Sequence, residues 1–253
     1  MAPRSDVRAR TTLIVAPTYQ EALSIESFLN SVRDAVPDAH VLIVDDSSPD
    51  GTARIVREYA EQSDAVRIIE RVGQRGLASA YRQGFGTALD LGNDVIISMD
   101  VDGSHCPSSI PSMLEAIHDG ADVVIGSRYV DGGETIHWPL RRRLLSRGGN
   151  RYAALVLGLD IRDCTSGFRA YRSEALRSLD FTSTTSEGYA FLTELALRMK
   201  SAGLDVVELP ITFRDRVNGK STMSWRIIIE SMVLINRLAL RQVIRRRGRL
   251  TRS

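Results

Sequence analysis

Four short runs in the first half of this chain are apolar from end to end and rich in β-branched residues. They are Leu13-Ile14-Val15-Ala16, Val41-Leu42-Ile43-Val44, Val95-Ile96-Ile97 and Val123-Val124-Ile125. A strand with one face in water alternates polar and apolar residues. A strand that does not alternate is covered on both faces, as in a parallel sheet between two layers of helix. Segments of helical period separate the runs, at about 22–35, 52–61, 77–91 and 107–118, with a shorter strand at 66–69. The second half predicts helix over 140–157 and 188–202, extended chain over 165–171, and one strand over 206–213. The expected class is therefore α/β, with a mostly parallel sheet flanked by helices. Open sheets of this kind bind ligands beyond the carboxyl ends of their strands. That rule sets Pro17, Asp45 and Asp46, Asp100 and Asp102, and Gly126-Ser127-Arg128 along one rim.

At 253 residues and 43% hydrophobic content, the chain buries a full core without disulfides or a structural metal. Its formal net charge of +2 gives no argument for nucleic acid. Cys106 and Cys164 have neither metal-ligand spacing nor scaffold density, so reduced thiols are expected. Residues 1–10 lack the apolar core of a signal peptide, and no uncharged apolar run approaches the roughly 20 residues of a membrane span. A soluble or peripheral protein is expected. The chain divides into a flexible N-terminus (1–10), one catalytic domain (11–222) and an appendage (223–253). Over about 224–247 the appendage reads as an amphipathic helix. Arg226, Glu230, Arg237, Arg241 and Arg245 share one stripe, and Trp225, Ile228, Ile229, Met232, Ile235, Ala239 and Val243 lie opposite. Such a face suits either packing on the protein's own sheet or lying in the plane of a membrane. The basic run from Arg237 to Arg252 suits either a solvated end or an anionic lipid surface.

Asp100-Val101-Asp102 ends the fourth strand, and two carboxylates at one strand end make a hard-oxygen site for Mg²⁺ or Mn²⁺. Other chemistries drop out. No Gly-x-Gly-x-x-Gly follows the first strand, no phosphate-binding Gly-x-x-x-x-Gly-Lys motif or Gly-x-Ser-x-Gly exists, and the four histidines show no ligand spacing. Arg141-Arg142-Arg143 with Arg147 precedes an apolar stretch at 152–159. That pattern suits a lipid-phosphate receiver whose apolar stretch faces the lipid chain, or a helix of solvated arginines.

Taken together, the motifs carry a resemblance. They are Pro17-Thr18-Tyr19-Gln20-Glu21, Val44-Asp45-Asp46-Ser47-Ser48-Pro49-Asp50-Gly51-Thr52, Arg75-Gly76-Leu77-Ala78-Ser79-Ala80, and Met99-Asp100-Val101-Asp102-Gly103-Ser104-His105. Gly126-Ser127-Arg128-Tyr129, Thr165-Ser166-Gly167-Phe168-Arg169-Ala170-Tyr171 and Gly188-Tyr189-Ala190-Phe191 follow. From about Thr12 to Thr222 the series resembles the family-2 inverting glycosyltransferases of the GT-A fold, and among them the polyprenol (dolichol) phosphate mannosyltransferases.

The resemblance implies a nucleoside pocket of Pro17, Tyr19, Glu21, Val44 and Asp46, with Asp45 holding its loop. It implies metal ligation by Asp100 and Asp102, Val101 beside the ribose, and Ser104 near the metal or sugar. Arg128 would reach phosphate or sugar, and Arg142 is the arginine whose spacing from Arg128 fits. Asp102, Arg128 and Arg142 are the expected catalytic set. Arg216 and Lys220 would belong to a loop over the donor pyrophosphate, where Thr222 stands in the usual place of a lysine. Asp163 is placed either as a base or as an organiser of its loop. The implied activity is transfer of mannose from GDP-mannose to a polyprenyl phosphate with inversion. It would occur at the cytoplasmic face of the cell membrane, on a peripheral protein with a possible small integral-membrane partner. Two alternatives stay open: a polyprenyl phosphate glucosyltransferase or a family member with a carbohydrate acceptor, and an inactive nucleotide-sugar-binding scaffold.

Overall fold

The computed structural model describes residues 11–215, 232, 233 and 235–240. Nine strands and seven α-helices alternate through the first of these ranges. The strands are β1 (Thr12–Thr18), β2 (His40–Asp45), β3 (Val66–Glu70), β4 (Val95–Ser98), β5 (Val123–Ser127), β6 (Glu134–Ile136), β7 (Arg169–Arg172), β8 (Val206–Pro210) and β9 (Thr212–Arg214). The helices are α1 (Ile25–Ala35), α2 (Thr52–Ala60), α3 (Leu77–Asp90), α4 (Ile110–Asp119), α5 (Leu140–Leu157), α6 (Ser173–Ser178) and α7 (Tyr189–Ala202).

Seven strands form one sheet in the order β3-β2-β1-β4-β7-β5-β8, and β6 pairs with β9 in a parallel ribbon. β7 runs against both its neighbours, and every other pair in the large sheet is parallel. The carboxyl ends of β1, β2, β3, β4 and β5 therefore open on one edge, and the order reverses between β1 and β4. That reversal is where an open sheet leaves a crevice for a ligand.

The two-residue side-chain period divides the core into two layers. Leu13, Val15, Leu42, Val44 and Ile96 face α3, α5 and α7, whereas Ile14, Ala16, Val41, Ile43 and Ile97 face α1 and α4. Helix α3 packs tightly on the sheet at Gly84. A Cβ on Gly84 would stand 2.3 Å from Val15 Cγ1 and 3.1 Å from Val44 Cγ2, so only glycine fits there.

The sequence expectations hold for the first five strands and for the helix over 140–157. Three others are corrected. Residues 206–213 are two strands, because Pro210 has no N–H to continue the ladder; β8 ends there and the chain leaves to pair with β6. Within 165–171 only the end is strand, because the Ser166 hydroxyl and the Arg169 side chain hold the preceding loop. The stretch 152–159 does not face outward as a whole: Ala153, Leu157 and Leu159 are buried in the core, and Leu155 is exposed. β6 and α6, three and six residues long, lie below the length at which periodicity is legible. Of the expected amphipathic helix at 224–247, the described part is helical, and Ile235 and Leu238 are buried in the core. The rest of that helix, residues 1–10, Arg216, Lys220 and Thr222 lie outside the described residues.

Candidate active site

A cleft of about 310 Å³ opens at the reversal point, lined by Pro17, Thr18, Tyr19, Glu21, Asp46, Arg75, Gly76, Leu77, Asp100, Val101 and Asp102. The lining groups come from the last residues of β1, the turns after β1, β2, β3 and β4, and the first residue of α3. Seven of the residues expected from the sequence meet here: Pro17, Tyr19, Glu21, Asp46, Asp100, Val101 and Asp102. Val44 does not; its side chain is fully buried under α3.

One wall is rigid because its loops are tied by buried carboxylates. Asp45 accepts from the Thr18 hydroxyl at 2.8 Å and from the Ser48 amide and hydroxyl at 2.8 and 2.6 Å, as expected of a loop organiser. Asp46 accepts from the Gly76 amide at 2.8 Å. Its Oδ1 lies 3.3 Å from Arg71 Nε, an ion pair whose angles do not make a hydrogen bond. Burial raises the Asp46 carboxyl above its ordinary range, against the opposing Gly76 amide and Arg71 charge. At the mouth, the Arg75 guanidinium stands 4.7 Å above the ring of Tyr19.

The same lining carries two further carboxylates, Asp100 and Asp102. Asp100 Oδ1 accepts from the Tyr81 hydroxyl at 3.2 Å, and Tyr81 is wholly buried in α3. Asp102 Oδ1 accepts the Ser104 amide at 3.0 Å. Among the described residues, no group of three or more His, Cys, Asp or Glu side chains is arranged to hold a metal. Two carboxylates at one strand end fit a cation that takes its other oxygens from phosphate and water. The Ser104 hydroxyl, 1% exposed and without a hydrogen-bond partner, is a further oxygen beside them in sequence.

The nearby histidine is committed elsewhere. His105 is buried between Phe168 and Phe213, and its Nδ1 accepts the Asp100 amide at 3.4 Å. Burial holds it below the ordinary imidazole range, so it is neutral at pH 7.

Arg128 and Arg142 are not on the cleft lining. Asp163 takes Arg128 Nε at 2.7 Å, Nη2 at 2.6 Å and the Arg128 amide at 3.0 Å, and Thr165 adds a fourth bond at 2.8 Å. Asp163 itself is fully buried, with Oδ1 and Oδ2 committed to Arg128, which fits a loop organiser rather than a base. Arg142, on the first turn of α5, donates to Asp215 at 2.7 Å. Both guanidiniums contact one indole: Arg142 lies 4.0 Å and Arg128 5.6 Å from the ring centre of Trp138.

Sequence reasoning gave no role to Arg71, Arg75, Tyr81 or Trp138. Arg75 sits in a quoted motif, but the partners of the other three are visible only in three dimensions.

The chain matches the model of the family described as Glycosyl transferase family 2 over residues 13–180. It is 42% identical to an undecaprenyl-phosphate mannosyltransferase from Micrococcus luteus, over 90% of this chain and 93% of that one. It is also 42% identical to a polyprenol monophosphomannose synthase from Mycolicibacterium smegmatis, over 96% and 89%. Its fold is similar to that of a mannosyltransferase from Pyrobaculum calidifontis solved in complex with GDP-Man and Mn²⁺. There the TM-score is 0.63 at 19% identity, covering 93% of this chain and 65% of that one.

Proposed function

The chain belongs to glycosyl transferase family 2, and on that premise we propose that it transfers mannose from GDP-mannose to a polyprenyl phosphate, with inversion. The carrying observation is one cleft whose lining brings Tyr19, Glu21 and Asp46 together with the Asp100–Asp102 pair. The 42% identity to two relatives named for mannosyl transfer onto undecaprenyl phosphate and polyprenol supports the sugar and the acceptor.

In this reading Tyr19 stacks on the base, and Glu21 and Asp46 accept from base N–H groups or ribose hydroxyls. Asp100 and Asp102 would hold Mg²⁺ or Mn²⁺, which would supply positive charge against a departing diphosphate. An acceptor phosphate oxygen forms a bond to the anomeric carbon as the bond to the β-phosphate oxygen breaks, and the electron pair leaves with GDP. A phosphate monoester is mostly dianionic at neutral pH, its second pKa being about 6, so no strong base is required. A neutral His105 and an Asp163 occupied by Arg128 agree with that chemistry. Arg128 and Arg142 offset the acceptor charge and orient the phosphate.

Arg216 and Lys220 remain assigned to the donor pyrophosphate. The division proposed makes residues 11–222 the catalytic domain, with 1–10 and 223–253 outside it. The site of action proposed is the inner face of the cell membrane. No described helix is long and apolar enough to cross a membrane. Leu140, Leu144 and Leu145 are exposed on α5 among Arg141, Arg143 and Arg147, an arrangement suited to an anionic lipid surface.

The test is incubation of purified protein with GDP-mannose, a short isoprenyl phosphate and Mg²⁺ or Mn²⁺. The expected products are GDP and an anionic mannolipid, and chelation of the metal is expected to stop both. Turnover with UDP-glucose and none with GDP-mannose would move the assignment to a glucosyltransferase. Nucleotide-sugar binding without any turnover would favour a scaffold.

A further inference from the structure

Buried side-chain polar atoms without a hydrogen bond, Tyr171 apart, gather in two places among the described residues. One is the Asp46–Arg71 pair on the donor wall. The other surrounds β9: Trp138 Nε1, Arg142 Nε, Thr135 Oγ1 and Ser104 Oγ. Thr135 is paired with Phe213 across β6 and β9, the Ser104 carbonyl accepts the Arg214 amide, and Trp138 packs edge-on against Phe213 at 5.4 Å. Protein interiors leave few polar groups unpaired, so a cluster of them around one strand signals a polar ligand absent from the folded chain.

Trp138 is the most informative member. It is 6% exposed, and a buried indole N–H ordinarily finds a partner. A phenylalanine would give Arg142 a stacking face without leaving a buried donor unpaired. Arg142 spends Nη1 on Asp215 and leaves Nε unbonded, and Arg128 spends Nε and Nη2 on Asp163 and Thr165. A terminal phosphate carries three strong acceptor oxygens. Two guanidiniums and one indole N–H on a common ring make a matching set of donors.

Building on the acceptor assignment above, we propose that Trp138 is the third donor of the acceptor-phosphate site. Its ring spaces Arg128 from Arg142, and its Nε1–H donates to the same phosphate. The set distinguishes a phosphate monoester from a sugar hydroxyl, which has one oxygen and no negative charge for three donors to share.

The chain has two tryptophans, so ¹⁵N-indole labelling with Trp225→Phe as the assignment control isolates the Trp138 N–H signal. Titration of the full-length protein with farnesyl phosphate is expected to move that signal downfield and to slow its exchange with solvent. Trp138→Phe is expected to raise the KM for farnesyl phosphate about tenfold, the scale of one lost hydrogen bond to a charged group, with the KM for GDP-mannose unchanged. An unmoved indole signal at saturating farnesyl phosphate overturns the proposal. So does a Trp138→Phe enzyme whose two KM values rise together. Arg142→Ala separates the two levels of inference. If it loses farnesyl phosphate binding while Trp138→Phe keeps it, the indole role alone fails. If Arg142→Ala binds farnesyl phosphate as the parent does, the acceptor assignment fails and the indole role with it.

Discussion

The hydroxyl of Tyr81, on a helix with no exposure at that position, donates a 3.2 Å hydrogen bond to Oδ1 of Asp100. Burial, and then the Asp100 charge, push the Tyr81 pKa well above its ordinary value, so the phenol stays protonated and remains a donor. A metal-ligating carboxylate oriented by such a partner has its geometry set before substrate arrives. Tyr81→Phe keeps the ring stacked between Phe85 and Phe191 and removes only the oxygen. The expected result is a 10- to 100-fold loss of apparent Mn²⁺ affinity in turnover assays. The thermal stability cost should be about 1 kcal/mol. An unchanged metal titration would mean that Asp100 is not a ligand or is oriented by other neighbours.

Asp163 and Arg128 make a second prediction, because their pairing is buried on both sides. Burial raises the Asp163 carboxyl, but the Arg128 charge and its hydrogen bonds reverse the shift, leaving the pKa below the ordinary 3.8. A depressed carboxyl contributes stability that is fully present above the unfolded value and is lost as pH falls through the folded value. Acid unfolding of the parent protein should therefore steepen below pH 3.8, and Asp163→Asn should remove that component. At neutral pH the variant should be less stable by about 3–5 kcal/mol, because the buried carboxylate that offsets the Arg128 charge is gone. Equilibrium denaturant melts from pH 7 to pH 2.5 measure both effects.

Gly84 tests how far the packing of α3 supports the cleft. Its missing Cβ would meet Val15 Cγ1 at 2.3 Å, and the helix also carries Tyr81 three residues earlier. Gly84→Ala is expected to destabilise the protein by about 1–3 kcal/mol through overpacking. The displaced helix should also weaken apparent Mn²⁺ affinity, although residue 84 touches no lining group. Melts and metal titrations on the same preparation show whether the two losses travel together.

How much of this was legible in the sequence follows from which interactions are local. Strands with no alternation, such as 13–16 and 41–44, declare a sheet buried on both faces. Strand ends rich in Asp declare its polar rim, and Asp100 and Asp102 lie on the cleft lining there. The pair alone reads equally as a solvated turn, and the other strand ends along the rim argue against that. Val44 is absent from the cleft lining because it still lies inside β2, with its side chain under α3. Asp46 lies one residue past the strand's end, where the chain is free to turn into the cleft. Asp163 was ambiguous because its role depends on Arg128, 35 positions away. Trp138 gave no signal because it stands in none of the motifs, and its contact with Arg128 and Arg142 exists only once the turn before α5 is folded. The break at Pro210 was readable in principle, since a proline in a strand argues for its end.

Arg75 carries the last prediction, because its contact with Tyr19 joins two lining side chains from different loops. Its guanidinium covers Tyr19, which is 40% exposed and has a ring face available to a base. A nucleobase entering between them would exchange one stacking partner for another, and Arg75 would be released to its edge or to the diphosphate. Planar guanidinium groups suit either target, whereas an ammonium offers only a point charge. Arg75→Ala should therefore raise the KM for GDP-mannose about tenfold while leaving the KM for the isoprenyl phosphate unchanged. Arg75→Lys should recover less than half of that loss in free energy, since the stacking plane is gone. If Arg75→Ala instead lowers the KM for GDP-mannose, the Arg75–Tyr19 stack is a closed mouth that substrate must open. Steady-state kinetics with each substrate varied in turn distinguishes the two.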